Sequence, residues 1–94
     1  TTIDEIILSK NLNLVNLLKI DVEGFEYEVL LGCSNALKKN KIKKIIIEIH
    51  SEFLKSKGTN EDLIYMFLKE HGFKIKKIQE IPSKQTSNII AIKN

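Results

Sequence analysis

The chain has 94 residues, a single-domain length, and its 43% hydrophobic and 29% charged residues exclude a disordered or collagen-like polymer. Its one proline and four glycines leave no long flexible linker, and its apolar runs of four or five residues are far too short for a membrane-spanning helix. The net charge is +3 with a pI near 9.0, yet every basic residue is a lysine, so the bidentate phosphate and base contacts typical of arginine are missing and nucleic acid is not an expected partner.

In chain order, Thr1 and Thr2 offer cap hydroxyls ahead of Asp4 and Glu5, which predicts a helix with Ile3, Ile6, Ile7 and Leu8 through about Lys10. Asn11 to Asn13 is a turn, and Val15 to Val22 is a dense apolar run of strand length. From Phe25, the residues Val29, Leu30, Cys33, Ala36 and Leu37 follow helical spacing, with Glu26 and Glu28 expected on the outer side and Gly32 as a possible break. Cys33 reads as a small buried apolar side chain; a lone cysteine excludes an internal disulfide or a multi-cysteine zinc site. Five lysines between Lys38 and Lys44 form a solvated helix end.

Ile42 to Ile49 is a second strand, and continuous apolar runs of this kind suit parallel strands covered on both faces. Ser51 to Gly58 is expected as loop. Thr59 to Asp62 start a helix with Leu63, Ile64, Phe67 and Leu68 on its core side and Gly72 as its cap; His71 falls at the helix end, and Tyr27, Tyr65 and Met66 read as packing or surface residues. Phe73 to Ile81 and Asn88 to Lys93 form strands around a turn with Pro82 and Ser83, too close together for a parallel crossover and so antiparallel. The order α-β-α-β-α-β-β describes an α/β fold with two parallel strands and a terminal antiparallel hairpin, flanked by helices, in one domain over residues 1–94.

Ligands of open parallel sheets collect at the carboxyl ends of the strands. Two such ends are polar here: Lys19-Ile20-Asp21-Val22-Glu23-Gly24 and Glu48-Ile49-His50. Alternation puts Lys19 with Asp21 and Glu48 with His50. A lysine in a covered strand needs a carboxylate beside it, with Asp21 and Glu48 the candidates. These groups either satisfy one another structurally or do chemistry.

The string "LLKIDVEGFEYEVLLG" from Leu17 to Gly32, preceded by Thr2-Ile3-Asp4-Glu5-Ile6 and followed by "IIIEIH" ending at His50, resembles the FkbM family of S-adenosylmethionine-dependent methyltransferases. The resemblance covers residues 2 to 50 by motif. It implies a Rossmann-like methyltransferase sheet, with Val15–Asp21 and Ile42–Ile49 as the fourth and fifth strands and the hairpin as the sixth and seventh. The glycine-rich turn that holds the cofactor in such folds is missing, because Gly24, Gly32, Gly58 and Gly72 stand alone. The chain therefore resembles the C-terminal half of the domain, inactive by itself, with a cofactor-binding half expected upstream of Thr1.

In that reading Asp21, Glu23 and His50 are the catalytic candidates, with His50 the better base on titration grounds. Asp21 also faces the cofactor, and Lys19 and Glu48 touch the substrate. The acceptor is a hydroxyl, or a similar nucleophile, of a sugar, glycan or secondary metabolite in the cytoplasm, with no membrane partner. Asp21, Glu23, Glu48 and His50 also offer hard ligands for Mg²⁺ or Mn²⁺. Two other classes stay open: a metal-dependent nuclease or phosphohydrolase using Asp21 and Glu48, in which His50 stands where a lysine is usual, and a non-catalytic interaction module. An unpaired edge along residues 15–21 is expected to favour self-association.

Overall fold

The computed structural model describes residues 1–81 and 86–94, so the expected turn at Pro82 and Ser83 lies outside the described residues. Among the described residues nine elements follow one another: α1 (Ile3–Ser9), β1 (Leu18–Ile20), α2 (Glu26–Leu31), α3 (Ser34–Lys38), β2 (Lys44–His50), α4 (Ser51–Ser56), α5 (Glu61–Glu70), β3 (Phe73–Ile81) and β4 (Thr86–Lys93). No described helix is long and apolar enough to cross a membrane.

The helix starts follow capping chemistry. The Thr2 hydroxyl accepts the Glu5 N–H at 3.1 Å, and the Asn60 side chain accepts the Leu63 N–H at 3.2 Å. The apolar stretch from Phe25 breaks at Gly32 and Cys33 into α2 and α3. The start of α3 is capped from a distance: the Asp4 carboxylate accepts the Asn35 and Ala36 N–H groups, each at 2.9 Å. This bond pins α1 to α3 across more than thirty residues of sequence. Ser51 to Ser56, expected as loop, is a short helix instead; its one buried residue, Leu54, is too little to create a visible period.

The four strands among the described residues lie in the order β1-β2-β4-β3. β1 runs parallel to β2 with Leu18, Lys19 and Ile20 opposite Ile45, Ile46 and Ile47. Both β2 and β3 run antiparallel to β4, so the last strand sits between them, and the expected hairpin is present. β1 is shorter than the apolar run suggested, although Val15 makes an isolated parallel bridge to Ile42 ahead of it. Among the described strands it lies at one edge of the sheet, beside β2 alone.

Burial along β2 alternates. Ile45, Ile47 and Ile49 are fully buried and join Ile20, Leu30, Leu54, Ile64, Leu68 and Ile89 in one core. The opposite face holds Lys44, Ile46, Glu48 and His50, none of them buried. The expectation of strands covered on both faces is therefore corrected: the face shared by Lys19, Ile46 and Ile90 is only partly covered. Lys19 is exposed, and no described carboxylate makes an ion pair with it. Its charge stays in water, so the desolvation cost that called for a partner never arises.

Candidate functional site

Because β1 and β2 are parallel neighbours, their carboxyl ends fall side by side, and each delivers one part of a cluster. β2 places Glu48 and His50 on its partly covered face, two residues apart. Asp21, just beyond β1, reaches the same place: His50 Nε2 lies 3.7 Å from Asp21 Oδ1 and 4.0 Å from Glu48 Oε1. Sequence spacing and parallel pairing together were enough to anticipate this meeting.

The other side of the imidazole is held by a residue that the sequence pattern placed in water. Glu26, at the first position of α2, is fully buried, and its Oε1 lies 2.7 Å from His50 Nδ1. The same oxygen accepts the His50 backbone N–H at 3.2 Å, while Oε2 accepts the Gly24 N–H at 2.8 Å. The charge of Glu26, against its spacing, suggested the outer face. The signal available in the sequence was that Glu26 lies three, four and seven residues before Val29, Leu30 and Cys33, the spacing of a single helix face.

The loop that makes this possible is unusual in its backbone. Glu23 and Gly24 both take positive φ, 46° and 103°. A Cβ on Gly24 would sit 2.6 Å from Phe53 Cβ, so the glycine allows α4 to close against the loop. That turn points Glu23 away: it is exposed, and among the described residues it joins neither the cluster nor any ion pair. Lys19 likewise stays outside. Of the five residues singled out in the sequence, the structure brings together Asp21, Glu48 and His50, and it adds Glu26.

The electrostatics favour protonation of His50. Its partial burial, with a side chain 12% exposed, acts to lower the pKa, but the hydrogen bond and charge of Glu26 and the charges of Glu48 and Asp21 outweigh it, leaving the pKa above 6.5. The same groups are also a candidate metal cluster: Asp21, Glu48 and His50 each offer one ligand atom, all within 4.8 Å of one another, a set whose chemistry suits Mn²⁺ or Zn²⁺. Two carboxylates around an imidazolium adopt the same spacing. For S-adenosylmethionine, the fit is partial. The space beside Gly24 is filled by Phe53 and forms no cradle for a nucleoside, whereas the Asp21 carboxylate is half exposed and open to a ligand.

Comparison with known proteins identifies the family. The profile of the methyltransferase FkbM domain matches residues 1–75. The chain is also 33% identical over 73 residues to the AMB antimetabolite synthetase AmbE of Pseudomonas aeruginosa, a match that covers 78% of this chain and 3% of that protein. No solved structure matches the chain.

Proposed function

The chain belongs to the FkbM methyltransferase family, and on that premise we propose that it forms the acceptor side of an S-adenosylmethionine-dependent methyltransferase that methylates a hydroxyl of a sugar, glycan or secondary metabolite. The observation that carries this reading is the meeting of Asp21, Glu48 and His50 at the ends of two parallel strands, with one imidazole nitrogen turned outward between two carboxylates. The relative's role as an antimetabolite synthetase supports a small-molecule acceptor. The sheet order, with an antiparallel strand next to the second parallel strand, supports a Rossmann-like methyltransferase sheet, and residues 1–94 then form its C-terminal half.

When bound, S-adenosylmethionine supplies an electrophilic methyl carbon whose bond to sulfur breaks as the acceptor oxygen takes it. Asp21 would hold its cationic side. The chain's own work is to hold the acceptor and receive its proton. Glu48, half-buried beside the imidazole, accepts a hydrogen bond from a second, neighbouring hydroxyl of the acceptor and so orients it, and His50 Nε2 takes the proton of the attacking hydroxyl as that oxygen bonds to the methyl carbon. Alignment supplies most of the acceleration, and the base contributes about 10²-fold or more. Because His50 must be neutral to accept a proton, activity should rise with pH through its elevated pKa.

The test is methyl transfer from labelled S-adenosylmethionine to polyhydroxylated acceptors, using protein extended upstream of Thr1. Activity that survives EDTA and falls about 10²-fold in His50→Gln supports the base role. Activity abolished by EDTA and restored by Mn²⁺ moves the role to a metal held by the same three residues. Metal-dependent cleavage of phosphodiesters without methyl transfer removes the proposal.

A further inference from the structure

A glutamate at the first position of a helix normally faces water, where its charge is solvated and complements the helix dipole. Glu26 is fully buried instead, and both of its oxygens are occupied. Oε2 receives the Gly24 N–H, which ties it to the loop after β1. Oε1 receives the backbone N–H of His50 and lies against Nδ1 of the same residue, which ties it to the end of β2. One carboxylate thus bridges the two chain segments that build the cluster. It touches the inner side of the imidazole, while Asp21 and Glu48 face the outer side.

A carboxylate only accepts hydrogen bonds, so the ring nitrogen facing it must be the donor. We infer that Glu26 is a positioning residue: it holds His50 as the Nδ1–H tautomer, which leaves Nε2 as the basic nitrogen presented to the acceptor. A neutral histidine free in water prefers the opposite tautomer, with the proton on Nε2 and no base facing outward. The charge-assisted bond from Nδ1 reverses that preference. The consequence for catalysis rests on the base role proposed for His50, but the tautomer does not.

Glu26→Leu is the discriminating change because leucine fills the buried position and offers Nδ1 no acceptor, so the imidazole returns to its preference in water, with the proton on Nε2. Glu26→Gln discriminates less, because its single oxygen toward His50 still accepts from both the His50 backbone N–H and Nδ1–H.

Ring-nitrogen NMR of the ¹⁵N-histidine-labelled chain, at a pH where His50 is neutral, reads the tautomer directly. The expected wild-type result is a protonated Nδ1 and a bare Nε2, with the pattern exchanged in Glu26→Leu at unchanged far-UV circular dichroism. A wild-type His50 protonated on Nε2, or a folded Glu26→Leu protein that keeps the wild-type pattern, overturns the inference. If Glu26→Leu does not fold, the wild-type spectrum decides by the same criterion. In the methyl-transfer assay, Glu26→Leu should lower kcat about 10²-fold with little change in KM. Absence of methyl transfer from every acceptor would count against the proposed function, and the NMR result would still decide the role of Glu26.

Discussion

Replacing Gly24 with alanine tests how the loop after β1 is built. Two costs add at this position. The backbone sits at φ 103°, a conformation that residues with a side chain rarely adopt, which costs about 1–2 kcal/mol. The new Cβ would also lie 2.6 Å from Phe53 Cβ and 3.4 Å from the Phe53 carbonyl carbon. These are atoms at the root of a helical residue, so relief requires α4 to shift, at about 1–3 kcal/mol for an overpacked contact. The lower entropy of the unfolded alanine chain returns about 0.4–1 kcal/mol. Gly24→Ala should therefore destabilise the fold by about 1–4.6 kcal/mol. Gly58→Ala is the internal control. Gly58 has φ 76° but nothing within 4 Å of its built Cβ, so it carries the backbone cost alone. Urea unfolding followed by circular dichroism gives both values. Equal losses for the two variants, or a Gly24→Ala protein as stable as wild type, would mean that α4 does not close on this loop, and the placing of His50 ahead of α4 would lose its support.

Four further outcomes are expected. His50 has a pKa above its unfolded value, so the folded state binds its proton more tightly; that contribution is complete below about pH 6.5 and is lost as pH rises through the elevated folded value. The stability difference between wild type and His50→Gln should shrink with pH across that window in urea titrations, and a difference that grows would contradict the roles of Glu26, Glu48 and Asp21. Burial, and secondarily the charge of Asp4, pushes the Cys33 thiol up to about 12, so alkylating reagents should leave native Cys33 untouched at pH 8 and label it fully in urea. Asp4→Ala removes the cap of α3 and should cost about 1–2 kcal/mol in the same unfolding assay. The edge of β1 should support self-association, seen as concentration-dependent sedimentation, and Leu18→Pro should abolish it; a monomer at every concentration would remove that expectation.

The elements themselves were largely legible, because periodicity and caps are local. Thr2 and Asn60 start their helices as their chemistry requires, and the isoleucine-rich run from Ile42 forms the central parallel strand. The convergence of Asp21, Glu48 and His50 was also legible, since alternation and parallel pairing leave little freedom at neighbouring strand ends. Local patterns misplaced what depends on distant partners. Lys19 looked like a buried charge in need of an ion pair, but the sheet face around it is open enough for water to do that work. Glu23 looked equivalent to Asp21, but the positive φ values at Glu23 and Gly24 turn it out of the cluster.

The amino-acid order thus determined where chain segments become strands and helices and which carboxylates arrive at the sheet end, because hydrogen-bond periodicity and capping act over a few residues. Only the tertiary structure decided that Glu26 meets His50 and that Asp4 caps another helix. Each carboxylate accepts N–H groups from a segment more than twenty residues away, and those partners arrive only after the sheet and helices have packed.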